Sequence, residues 1–109
     1  MPRWIVCPYL AADVELTDER REHIRLNHPE LGAPGADLIG DTLALPDTVR
    51  RDDRAPNTRL FTRWYDQVLG GKNLVVVVVT DEPGAQRHWV VTAYLTKVVR
   101  RGGIEWQRS

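Results

Sequence analysis

Five consecutive valines, Val75 to Val79, sit inside the run Leu74–Thr80. Valine is branched at Cβ, stiff at χ1, and suited to the pleated surface of a sheet. A strand with one wet face alternates apolar and polar residues. This run does not alternate, so it predicts a central strand covered on both sides. The rest of the chain must therefore supply a neighbouring strand at each edge and a layer on each face. With 109 residues the chain reads as one domain, residues 1–109, with its core over about 15–100. The run is far too short to cross a bilayer, and no membrane association is expected.

The flanking segments fit that frame. Leu60 to Asp66 is rich in aromatic and β-branched residues and reads as a strand, and Gly70-Gly71-Lys72-Asn73 as the turn into the valines. Asp81 to Ala85, with Pro83-Gly84, reads as a hairpin turn into a long strand, Arg87 to Val99. Gly102-Gly103 then turns the chain into a last edge strand, Ile104 to Trp106. Trp4 to Leu10 is either a short first strand or an arm packed on the core. Thr17 caps a helix whose first turn holds Asp18 and Glu19, where the positive end of the helix dipole favours acids. Pro29 stops that helix near Asn27 or His28. Gly32 to Gly35 is a loop. Ala36 to Leu45 is a second helix with Leu38, Ile39, Thr42 and Leu43 in one stripe, ended by Pro46. Val49 begins a short strand, and Asp52 to Asn57 is a polar turn. The expected class is α+β: two N-terminal helices packed on a four- to five-stranded antiparallel sheet.

Charge narrows the function classes. Fifteen basic side chains balance fifteen acidic ones, which excludes a uniformly cationic coat for nucleic acid. The balance is uneven along the chain. Residues 1–45 hold 4 basic and 8 acidic side chains, whereas residues 84–109 hold 5 and 1. A local anion site on the sheet thus remains open. The single cysteine, Cys7, reads as a small buried side chain, and a reducing, cytoplasmic setting is expected.

Strict alternation along Arg87–Val99 puts Trp89, Val91, Ala93 and Leu95 on one face. His88, Val90, Thr92, Tyr94 and Thr96 fall on the other, which offers an imidazole, two hydroxyls and a phenol. His23 and His28 are the remaining imidazoles. Their spacing of five, with no third ligand, does not match a zinc helix, so no metal and no cofactor are expected. His28 is either a cap at the helix end or a general base; His23 is either a surface side chain or a base. Arg50, Arg51, Arg54, Arg59 and Arg63 form a basic cluster. Arg63 stands out, lying in a strand between Phe61 and Tyr65, where a guanidinium can hold phosphate. Lys97, Arg100, Arg101 and Arg108 extend the positive surface.

Three segments carry a resemblance: His23-Ile-Arg-Leu-Asn-His28-Pro-Glu-Leu31, Thr42-Leu-Ala-Leu-Pro46-Asp-Thr-Val49, and Val90-Val-Thr92-Ala-Tyr94. Together they resemble the phage-associated branch of the barnase–EndoU–colicin–RelE-like (BECR) nuclease superfamily, small ribonuclease-type domains of phages and toxins. The resemblance implies metal-independent RNA cleavage, with the 2′-hydroxyl attacking the adjacent phosphate. It makes His23 or His28 the base or acid and places Thr92 and Tyr94 on the sheet floor. Arg63, placed by strand alternation, would stabilise the phosphate. Arg51, Lys97 and Arg100 would bind substrate. The partners implied are RNA and an antitoxin or immunity protein. The alternative is a non-catalytic RNA- or protein-binding module of the same fold, using exposed tryptophans from among Trp4, Trp64, Trp89 and Trp106. The sequence leaves the oligomeric state open.

Overall fold

The structure, a computed structural model, describes residues 1–32, 35–81 and 87–109. The valine run forms the middle of strand β5 (Lys72–Thr80), and Val75 to Val78 are all buried. Strands β4 (Thr58–Tyr65) and β6 (His88–Thr96) pair with it on either edge, both antiparallel. Strand β3 (Thr48–Arg51) extends the sheet beyond β4, and β7 (Gly103–Gln107) closes that side as its edge. The turn expected over Asp81 to Ala85 lies mostly outside the described residues, as does the middle of the Gly32 to Gly35 loop.

The class is α+β with two helices, as expected, but the sheet is larger and not purely antiparallel. It has seven strands in the order β1-β2-β6-β5-β4-β3-β7. The addition is an N-terminal hairpin, β1 (Arg3–Cys7) and β2 (Ala12–Leu16), joined by a single 3-10 turn over Pro8–Leu10. Its core face is Ile5, Cys7, Val14 and Leu16, while Asp13 and Glu15 face away. Strand β2 meets β6 in parallel through one register pair, Glu15↔Trp89. Beyond that pair β2 leaves the margin of β6, and helix α1 packs against β6.

Helix α1 (Asp18–Asn27) begins where Thr17 Oγ1 accepts the Arg20 amide at 3.1 Å. It buries only Ile24. So polar a helix is held by docking, since isolated helices of this length are marginal in water. Helix α2 (Gly35–Ala44) buries Ile39, Thr42 and Leu43. The Thr42 hydroxyl bonds both the Leu38 carbonyl (2.8 Å) and the buried Tyr65 hydroxyl (2.9 Å), so no polar atom is stranded there. Both helices cover one sheet face, which carries the main core of Phe61, Leu74, Val76, Val78, Val90 and Ala93. The opposite face holds a smaller cluster of Leu60, Val75 and Val77, packed by Val91, Tyr94 and Val99.

That second cover explains the last strand. Because β7 pairs with β3 on the far side of the sheet from β6, the link over residues 97–102 must cross β5, β4 and β3. Val99 is its apolar foot on the sheet. The valine strand is thereby roofed twice, by helices on one face and by this link on the other. Among the described residues no helix is long and apolar enough to cross a membrane.

The turn into β5 depends on Gly71, which has φ +100. A Cβ there would lie 2.5 Å from Cζ2 of Trp64, whose indole N–H donates to Asp66 at 2.6 Å. Gly71→Ala is expected to cost about 2 kcal/mol, from backbone strain plus displacement of the indole. A urea midpoint matching the parent would refute this role.

Candidate functional site

Two β-bulges decide which side chains share a face. In β6, Val77 pairs with Thr92 but Val78 pairs with Val90, leaving Val91 as the extra residue. The slip splits the expected alternation. Thr92, Tyr94 and Thr96 lie on the face opposite the helices, as anticipated. His88 and Val90, however, turn to the helix side, and Trp89 and Val91 to the other. His88 is buried, and its Nδ1 lies 2.8 Å from the Thr80 hydroxyl. Burial, then the nearby Arg59 charge, lowers its pKa below the ordinary 6.5. A neutral buried imidazole must acquire charge on unfolding in acid. Stability is therefore expected to fall as pH drops below 6.5, and His88→Gln should flatten that part of a urea midpoint–pH profile.

Tyr94 is the meeting point of the opposite face. Over its side runs the 97–102 link, from which Arg101 donates to Asp52 at 2.6 Å. The Asp52 hydrogen bond raises the Arg101 pKa, with a smaller contribution from Tyr94. From the sheet margin comes His28, the residue that ends α1, with its ring centroid 6.3 Å from that of Tyr94. Its position follows from local sequence: the His28 amide closes the helix on the Ile24 carbonyl at 2.8 Å, and Pro29 diverts the chain.

The His28 side chain is oriented. Nδ1 lies 3.2 Å from the Glu30 carboxylate, and the side chain remains 29% exposed. A carboxylate beside Nδ1 favours the tautomer with its proton there, which leaves the Nε2 lone pair available as a base. His28 also lines a cleft of about 400 Å³ between α1, the 3-10 turn Pro29–Leu31 and the start of α2. Arg21 and Arg25 stand on the rim of that cleft. Arg25 is gripped by Glu22 at 2.5 and 3.0 Å.

The other candidates are placed elsewhere. His23 is exposed and bonded to Asn27, with Nδ1 3.3 Å from the amide nitrogen. Arg63 pairs in register with Leu74, on the helix face and so on the wrong side of the sheet for Tyr94. It donates to the Asp41 and Leu45 carbonyls (3.4 Å each) at the end of α2 and lies 5.5 Å from the Tyr65 ring centroid. Its charge serves the negative end of the helix dipole. Arg51 is committed to Glu105. Lys97 is exposed on the crossing link, where its carbonyl accepts from Asn73 at 3.2 Å. Arg100 lines a second cleft of about 490 Å³ with Asp53 and Arg54.

The second bulge builds a cluster that alternation does not reveal. Between Val49↔Trp106 and Arg50↔Ile104, Glu105 is the extra residue of β7. Glu105 and Trp106 therefore both turn to the helix face. The Glu105 carboxylate accepts from Tyr9 (2.5 Å), Arg51 (2.8 Å) and Arg59 (2.9 Å), while Tyr9 packs 6.0 Å from both Phe61 and Trp106. Burial pushes this carboxyl up, but the hydrogen bonds from Tyr9, Arg59 and Arg51 outweigh it and bring its pKa to about 2. So firmly ionised a group is a poor proton acceptor near neutrality.

Sequence reasoning gave Glu30 no role and placed Arg101 only in the positive surface. Glu30 stands two residues after His28, in the 3-10 turn that Pro29 begins, with its carboxylate 3.2 Å from His28 Nδ1. Among the described residues no group of three or more His, Cys, Asp or Glu side chains is arranged to hold a metal ion. Comparison with protein-family models, with curated proteins and with solved structures finds no match.

Proposed function

We propose that this domain cleaves RNA by attack of a 2′-hydroxyl on the adjacent phosphate, with His28 as the proton-transfer group. The observation that carries this reading is the His28 imidazole, oriented by Glu30 and set with its ring centroid 6.3 Å from that of Tyr94. Nε2 of His28 would take the 2′-hydroxyl proton as the 2′-oxygen bonds to phosphorus. The bond from phosphorus to the 5′-oxygen then breaks, and the imidazolium returns its proton to that leaving oxygen. The products are a 2′,3′-cyclic phosphate and a 5′-hydroxyl. Arg101 offsets charge gathering on the phosphate, and Tyr94 orients it. One imidazole serves as base and then acid. The test is to incubate the protein with mixed RNA in excess chelator. Cyclic-phosphate ends are expected; intact RNA, or products with 3′-hydroxyl ends, would overturn the reading.

A second reading is a binding module for a protein, such as an antitoxin or immunity partner. It is favoured by the tryptophans, none of which enters the core. Trp4 is 58% exposed and Trp106 38%, and each lies on an edge strand, where a partner strand would add. Under this reading Trp4→Ser abolishes partner binding while RNA remains uncut by the parent protein.

A further inference from the structure

The sheet ends in two edge strands, β1 and β7, and they differ. An open edge presents free backbone N–H and C=O groups, so folded chains guard it with charges, prolines or bulges. Strand β7 is guarded: it bulges at Glu105, whose carboxylate is held by Tyr9, Arg51 and Arg59. Strand β1 is not. Its five pairs with β2 run from Arg3↔Leu16 to Cys7↔Ala12 without a slip. It holds no proline, and its one charge, Arg3, stands at its start and reaches Asp37 of α2 at 3.3 Å. Among the described residues no strand lies beyond it. Ile5 and Cys7 point into the core, whereas Trp4 and Val6 stand on the face away from the helices, 58% and 66% exposed.

A regular open edge with two apolar side chains at strand spacing is a template for one more strand. That strand must bring its own apolar pair to the same face, and β1 of a second copy brings it. Set antiparallel about a two-fold axis at Ile5, the second copy places its Val6 opposite Trp4 and its Trp4 opposite Val6. Aromatic and β-branched residues are favourable cross-strand partners. No like charges meet, because Glu15 and Asp13, the β2 neighbours of Trp4 and Val6, stay separated from their counterparts by both β1 strands. Fifteen basic and fifteen acidic side chains leave two copies without net repulsion. A two-fold contact also closes at two chains, whereas β1 against β7 of the next copy would run on and meet the Glu105 bulge. We infer that β1 pairs with β1 of a second copy, joining two sheets into one continuous sheet. This holds whether or not the protein cuts RNA, and it gives to a second copy the edge that the partner-protein reading gives to another chain.

The test is sedimentation equilibrium of the full chain from about 1 μM to about 1 mM, with amide hydrogen exchange at both ends of that range. One five-residue strand pair is a small interface, so the dimer is expected with a Kd on the order of 10 μM. Exchange in β1 should slow as concentration rises, while exchange in β7 should not change. Trp4→Lys and Val6→Glu should each weaken the dimer about tenfold, since each change occurs twice across the axis. Both side chains are exposed, so neither change threatens the fold. The double variant should recover most of the loss, because the two-fold register sets the new ammonium opposite the new carboxylate. A single-chain mass at every concentration would overturn the inference, leaving the edge to another protein and the RNA-cleaving reading untouched. A dimer that neither single change weakens would overturn it too. So would a dimer weakened by both but not recovered in the double variant, since that pairing would have another register.

Discussion

Replacing His28 with alanine is expected to lower RNA cleavage by about 10²–10⁴-fold, the span typical of losing a positioned acid–base group. Stability should change little, within about 0.5 kcal/mol, because the side chain sits at the molecular surface and its partner Glu30 stays solvated when left alone. The measurement is the initial rate of cyclic-phosphate formation, alongside a urea midpoint. Two controls sharpen it. His23→Ala should leave the rate within about twofold, since His23 is turned to solvent and bonded within its own helix. Arg63→Ala should weaken the end of α2 and lower stability, yet spare the chemistry, because Arg63 lies across the sheet from Tyr94. A rate that survives His28→Ala removes the catalytic assignment. A rate lost equally in Arg63→Ala, at unchanged stability, would move the site to the helix face.

Glu105 is expected to be the most costly charged residue to remove. Glu105→Ala leaves Arg51 and Arg59 facing each other without their common carboxylate, and it frees the Tyr9 hydroxyl. Its side chain is 23% exposed, so the loss should be on the order of 2–3 kcal/mol, below that of a fully buried pair. The pH dependence follows from the depressed pKa. The unfolded carboxyl titrates near 4.5 and the folded one near 2, so the network stabilises fully above pH 4.5. That contribution drains away as pH falls from 4.5 towards 2. Glu105→Gln should therefore be less stable than the parent at pH 7, and the gap should close by about pH 2. A gap independent of pH over that window would show that packing, not charge, anchors β7.

Local elements were largely legible. Thr17 and Pro29 bracket α1, and Pro46 follows α2, because capping and the lost proline amide act within a few residues. The N-terminal hairpin was not read as two strands, though Val14 and Leu16 alternate with Asp13 and Glu15 as a half-buried strand requires. Those acids precede Thr17, and they read equally well as the lead into a helix. The tryptophans gave no signal of their own, because an indole suits a core as well as an edge. His28 and Tyr94 lie 6.3 Å apart, centroid to centroid, because α1 packs against β6. Arg63 was assigned to the phosphate because its residue type fitted. Its register with Leu74, which sends it to the helix face, is a property of paired strands and not of its neighbours in sequence.

The valines show the division most clearly. Their composition alone required a strand covered twice, since five branched apolar side chains cannot be left wet on either face of a sheet. The sequence thereby determined the centre of the fold and the need for two roofs. It did not determine that helices form one roof and the 97–102 link the other, nor that β2 gives way to α1 along β6. It also left hidden the bulges at Val91 and Glu105, the first of which reverses the faces that alternation had assigned to His88, Trp89, Val90 and Val91. Periodicity and capping are short-range effects, carried by adjacent side chains. Register, crossover and bulge depend on which distant segments pair, and those pairings, with α1 packed on β6, set His28 beside Tyr94.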